Sequence, residues 1–145
     1  MSRVRQRGLP PAILMGGAAG NALSVARSLG RQGVDVYLLE DSPSFRSRFA
    51  RSIQLPSGAA QDVWTEYLLS PRSEPLRGAV LLACCDTGIE ILIEHRKELE
   101  ERFVLDISDS DAQRRLLSKL STYEVATEAG VPTRHGSGTS RAWNT

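Results

Sequence analysis

The sequence predicts an α/β fold, a doubly wound, mainly parallel five-stranded sheet with helices on both faces. Three observations predict it. Short runs dominated by apolar and β-branched residues (Ala12 to Met15, Val34 to Leu39, Ala79 to Cys85) read as strands buried on both faces. Between them lie longer stretches whose apolar residues recur at helical spacing. A glycine turn, Gly16, Gly17 and Gly20, separates the first strand from the first helix, where a Cβ would obstruct the backbone. That unit of strand, glycine turn, helix and strand opens a Rossmann-like sheet.

Each element can be justified in order. Residues 1–10, with Arg3, Arg5 and Arg7, form a basic tail. After the glycine turn, Ala22, Val25, Ala26 and Leu29 fall on one helix face, and Gly33 ends that helix. A short third strand is expected from Ser52 to Leu55, closed by Pro56-Ser57-Gly58. Val63, Trp64, Tyr67 and Leu68 mark a helix packed on the sheet, and Pro71 to Gly78 reads as a loop. Ala79 to Cys85, with Leu82 in the core, is a central strand. It leads into one helix carrying Ile89, Leu92, Ile93, Leu99 and Phe103, with Glu98 and Arg102 as an i, i+4 pair. Phe103 to Asp106 is expected as a fifth strand. A capping box from Ser110 to Gln113 starts a helix with Ala112, Leu116, Leu117 and Leu120 inward. A second box, Ser121 to Glu124, starts another just after Lys119, bearing Tyr123, Val125, Ala126 and Ala129 and stopping at Gly130. Beyond Thr133 no apolar period remains, and the chain is expected to be loose.

Composition narrows the function. The chain has 145 residues, 41% of them hydrophobic and 24% charged, enough for one domain or one with the start of another. A net charge of +1, with no basic stripe among aromatics, points away from nucleic acid. Ala79 to Cys85 is the longest apolar run and cannot span a bilayer, so no membrane partner and a cytoplasmic location are expected. Cys84 and Cys85 are the only cysteines and are adjacent, so a bridge between them would be strained and no second pair offers zinc a site. They read as small residues at a strand end.

The residues that could carry chemistry cluster at strand ends. N–H groups at the start of the first helix favour an anion, so the turn of Gly16, Gly17 and Gly20 could hold a small anionic molecule. Equally, the glycines could serve close packing alone. Met15 occupies the first glycine position of the dinucleotide fingerprint, which disfavours a nicotinamide oxidoreductase, although Glu40 stands where a ribose-binding acid would. Asp86 follows the strand ending in Cys85 and suits either ligand contact or helix capping. Arg46, Arg48 and Arg51 are either solvated or available to an acidic ligand. His95 reads as a surface residue.

The succession of elements, the motif K-L-S-T-Y-E-V-A-T-E-A-G-V-P from Lys119 to Pro132, the run from Gly20 to Val36 and the run from Cys85 to Leu99 resemble the opening of ATP-grasp carboxylate–amine ligases. The resemblance implies a Rossmann-like pre-ATP-grasp domain at 11–120, followed by a linking helix and the start of an ATP-grasp domain at 121–145. It implies a reaction in which ATP and Mg²⁺ convert a substrate carboxylate to an acyl phosphate that an amine then displaces. Gly16, Gly17, Gly20, Asn21 and Asp86 would contact a small-molecule carboxylate substrate, and Lys119 would reach nucleotide phosphate. None of these residues is expected to be catalytic or to bind metal. The family's later ATP and metal-binding segments find no match here. The chain is therefore expected to be truncated, to hold no nucleotide tightly and to be inactive alone; a homo-oligomer is compatible with it. The alternative is a free-standing Rossmann-like module for a small anionic ligand or a partner protein.

Overall fold

The computed structural model describes residues 8–16, 19–39 and 47–132. The expected loose segment after Pro132, most of the basic tail, Gly17, Glu40 and Arg46 lie outside them. Four strands, β1 (Ala12–Met15), β2 (Val36–Leu38), β3 (Arg51–Ser52) and β4 (Val80–Ala83), form one all-parallel sheet in the order β3-β2-β1-β4. The helices are α1 (Ala19–Arg31), α2 (Ala60–Leu69), α3 (Asp86–Glu94), α4 (Arg96–Glu100), α5 (Ser110–Leu117) and α6 (Lys119–Glu128).

Strand periodicity sorts the apolar residues into two cores. Ile13, Met15, Leu39 and Leu81 join Trp64, Tyr67 and Leu68 of α2, Ile91 and Leu92 of α3, and Leu99 of α4. On the opposite face Leu14, Val36 and Leu38 pack with Ala22 and Ala26 of α1, and Leu82 and Cys84 lie against them. Helices thus cover both faces, and Gly33, at φ +85°, turns the chain out of α1. Leu81 is 1% exposed, whereas Leu82, expected in the core, is only half-buried.

The sheet has four strands where five were expected. Phe103 to Asp106 reaches the outer side of β4 but contributes a single parallel bridge, Val80 to Val104. The Leu81 N–H donates to the Val104 carbonyl and the Val104 N–H to the Ala79 carbonyl, each at 2.9 Å. Arg96 then diverts the chain by donating to the Asp106 carbonyl at 3.0 Å and to its Oδ1 at 3.2 Å. β3 is likewise shorter than Ser52 to Leu55. Its ladder ends with the Ile53 N–H on the Leu38 carbonyl, and the Gln54 carbonyl accepts from Arg72 instead.

Three further expectations are corrected. The helix expected through Phe103 breaks at His95 (φ −115°, ψ 22°) into α3 and α4, yet Ile91, Leu99 and Phe103 still share one core. The expected loop from Pro71 is a 3-10 helix, Pro71–Leu76, with Ser73 buried. Arg102 does not pair with Glu98. Its Nη1 donates to the carbonyls of Leu68 and Ser70 and to Ser73 Oγ at 2.8–3.2 Å, satisfying the turn after α2.

Asp109 rather than Ser110 caps α5, accepting from the Ala112 N–H at 2.9 Å, and Ser118 rather than Ser121 caps α6. Neither helix buries a residue. Leu116 (60%) and Leu120 (67%), expected inward, face outward.

Two outcomes follow from this packing. Leu81→Ala should destabilise the fold by about 2–5 kcal/mol, the range for emptying a leucine-sized core site, and Leu82→Ala by less. Equal shifts in urea midpoint would contradict the burial difference. Burial opposes ionisation of the Asp106 carboxyl, but the Ser108 N–H and Arg96 outweigh it and hold its pKa below the ordinary value. Because the folded value is depressed, this contribution to stability is fully present above the unfolded pKa of about 3.9 and fades as pH falls through the folded value. An NMR titration of the Asp106 carboxyl should find its midpoint below that of an unstructured aspartate; a midpoint above it would refute the assignment.

Candidate functional site

In an open parallel sheet, the carboxyl ends of the strands are where successive crossovers leave a crevice. Here β1 and β4, though far apart in sequence, end side by side. The Cys84 N–H donates to the Met15 carbonyl at 3.0 Å, and the Cys85 thiol donates to the carbonyl of the buried Gly16. The first turn of α3 is pressed onto both strand ends at Gly88. A Cβ there would lie 3.0 Å from Met15 Cβ and 3.1 Å from Ala83 Cβ. Gly16 and the Cys85–Asp86 segment are thereby brought together, as required of a shared site.

Asp86 is the first helical residue of α3, and the N-cap, Cys85, makes no side-chain capping hydrogen bond. The capping role for Asp86 is therefore excluded. Its carboxylate is exposed, and no hydrogen bond or ion pair engages it among the described residues. Negative charge in a first helical turn is favourable by about 0.3–1 kcal/mol, which suits a carboxylate at this position.

Gly20 and Asn21 lie exposed in the first turn of α1. A Cβ on Gly20 would meet nothing within 4 Å, so the close-packing role does not apply there among the described residues. The glycine that α1 does require is Gly30, where a Cβ would fall 2.8 Å from Phe49 Cβ. Gly17 lies outside the described residues.

Lys119 is carried by a different helix. It is the exposed first residue of α6, a helix that packs on α5, which in turn packs on α3. No hydrogen bond or ion pair joins it to Gly16 or Asp86 among the described residues. His95 is half-buried. Cys84 and Cys85 are free and face opposite cores, and burial, with a smaller contribution from Cys85, raises the Cys84 pKa. That disfavours the thiolate and hence nucleophilic chemistry.

A cavity of about 360 Å³ opens beside the amino end of α2, lined by Leu55, Pro56, Gly58, Ala60, Val63 and Trp64. Trp64 is 5% exposed and serves the core as expected. Among the described residues no group of three or more His, Cys, Asp or Glu could hold a metal ion, and no helix is long and apolar enough to cross a membrane.

A stretch of 60 residues is 35% identical to the D-aspartate ligase of Enterococcus faecium (strain Aus0004), covering 41% of this chain and 14% of that ligase. The chain thus spans a small part of the length of this relative. No family model matches the chain, and no solved structure matches it.

The contrast between the glycines can be tested. Gly88→Ala should lower stability, because Met15 and Ala83 are backed by the sheet and cannot withdraw freely. Gly20→Ala should be neutral or stabilising by up to about 1 kcal/mol, as for glycine in a helix interior. Denaturant midpoints of the two variants in the opposite order would show that the turn of α3 does not rest on the strand ends.

Proposed function

We propose that this chain supplies the Rossmann-like, substrate-side domain of an ATP-dependent carboxylate–amine ligase acting on an amino acid of the aspartate kind. The observation that carries the reading is the 60-residue likeness to a D-aspartate ligase. The motif resemblance from Gly20 to Val36, Cys85 to Leu99 and Lys119 to Pro132 points the same way.

The chemistry of the β1–β4 crevice supports an amino-acid substrate. A zwitterion needs an acceptor for its ammonium group and donors for its carboxylate. Asp86 supplies the first as an exposed carboxylate with no partner among the described residues. The initial N–H groups of α1 and α3 supply the second, and α3 has no side-chain acceptor competing for them. Under this reading Gly16, Gly17, Gly20 and Asn21 let the substrate approach the backbone. The role of these residues is to bind and orient.

The described residues do not by themselves fit ATP and Mg²⁺. They offer Lys119 as one exposed cation at a helix start and no cluster of metal ligands. A single exposed ion pair yields at most about 1 kcal/mol, against the several kcal/mol that association costs. No step of the reaction is therefore assigned to groups of this domain acting on nucleotide.

Amide spectra of the 145-residue chain titrated with D-aspartate test the proposal. Gly16, Gly17, Gly20, Asn21 and Asp86 should shift together, and Asp86→Asn should suppress the response. In calorimetry, Mg-ATP should bind no tighter than about millimolar, near −4 kcal/mol. Shifts confined to other regions, or micromolar Mg-ATP binding, would reject the reading.

A further inference from the structure

A second cluster, on the α2 face at the outer edge of the sheet, uses none of the residues assigned to the β1–β4 crevice. Arg51 on β3 stands opposite Tyr37 of β2 in the parallel register. Its guanidinium lies over the Tyr37 ring, 5.9 Å from the centroid, with Nη1 3.5 Å from the phenolic oxygen. Arg72, from the 3-10 helix after α2, lies over the Tyr67 ring at 5.6 Å and donates to the Gln54 carbonyl at 3.0 Å.

Tyr37 and Tyr67 pack into the same core, and Arg72 reaches Gln54 just past β3, which brings the two arginine–tyrosine pairs to one edge. Both arginines are exposed, and neither forms an ion pair with a carboxylate among the described residues. Tyr67 is 7% exposed, yet its hydroxyl makes no hydrogen bond among the described residues and is not sealed from solvent. Two guanidinium groups held by neutral partners, with phenols beside them, make a surface short of one thing, negative charge.

We propose that Arg51 and Arg72, with the phenol groups of Tyr37 and Tyr67, bind a phosphate group, free or carried by a small molecule. A guanidinium fork matches phosphate oxygens in pairs, and each fork here is already oriented by a ring or a carbonyl. That prior ordering reduces the side-chain entropy lost on binding. Burial chiefly raises the Tyr67 pKa, with Arg72 lowering and Tyr37 raising it, so its hydroxyl is a proton donor at neutral pH. The site stands apart from the glycine-turn crevice and does not rest on the ligase reading.

The test is an NMR titration of the full chain with inorganic phosphate, glycerol 3-phosphate and acetate at constant ionic strength. The Tyr37 and Tyr67 ring signals should move with either phosphate compound, and acetate should bind at least about tenfold more weakly, a difference of about 1.4 kcal/mol. Tighter binding of glycerol 3-phosphate than of inorganic phosphate assigns the site to an ester; equal binding assigns it to the free anion. Arg51→Gln and Arg72→Gln, both exposed and compatible with the fold, should each weaken phosphate about tenfold. Arg31→Gln, which removes the same charge from the end of α1, should leave it unchanged. Acetate binding as well as phosphate, an Arg31→Gln effect equal to the others, or no response to phosphate would each overturn the proposal.

Discussion

The rest of the structure depends on β1 being buried on both faces and hydrogen-bonded on both edges. Ala12, Ile13, Leu14 and Met15 are at most 3% exposed. On one edge the Ala12 N–H reaches the Asp35 carbonyl and the Leu39 N–H reaches Leu14. On the other, the Val80 and Cys84 N–H groups reach Pro11 and Met15. Full burial of a leucine or isoleucine contributes about 1.5–3 kcal/mol, so these few residues weigh heavily in the fold. Because β1 is central, its carboxyl end, where the crossover through α1 begins, lies beside the end of β4 from which α3 departs. The candidate site is a consequence of the same constraint.

Where a pattern is local, the sequence was legible. The apolar runs of β1, β2 and β4 and the helical stripes of α1 and α2 match the two cores. Where an interaction spans distant residues, it was not. Nothing near Ser73 signals that Arg102 will satisfy the turn holding it, and nothing near Phe103 signals that Arg96 will pull Asp106 off the sheet. The amphipathic spacing of Leu116 and Leu120 implied burial, but spacing cannot supply an opposing surface.

The site divides along the same line. The glycine turn was visible as a motif, and its position at the end of a central strand follows from the strand pattern. What the motif could not reveal is which glycine bears a contact. Gly20 is open, whereas Gly88 and Gly30, unremarked in the sequence, sit against Met15, Ala83 and Phe49. Their necessity lies in contacts between elements, which only the fold displays. Asp86 was legible as a strand-end carboxylate. Its release from capping depends on where α3 begins, one residue earlier than an Asp86 cap would require.

The two regions assigned to a ligase differ in how firmly they are held. Gly16 and Asp86 adjoin the buried apolar core between β1, β4 and α3. Lys119 belongs to the α5–α6 pair, which packs on α3 without burying a side chain of its own and is held by polar contacts as well. Arg96 ties α5 to the body through Ser110 Oγ at 2.9 Å and Gln113 Oε1 at 3.2 Å. α6 is tied to α5 by Arg115–Glu128 at 2.7 Å, between side chains 49% and 65% exposed. An exposed pair of this kind contributes about 0–1 kcal/mol, and neither helix adds a buried side chain. Opening of α5 and α6 therefore costs far less than opening of the sheet, the usual gradient between a core and its low-stability units. Under the ligase reading, substrate would meet a preorganised crevice, whereas a phosphate at Lys119 would first have to order the helix that presents it. That ordering cost falls on nucleotide alone, and it is the physical reason the two halves of such a site need not bind with comparable strength.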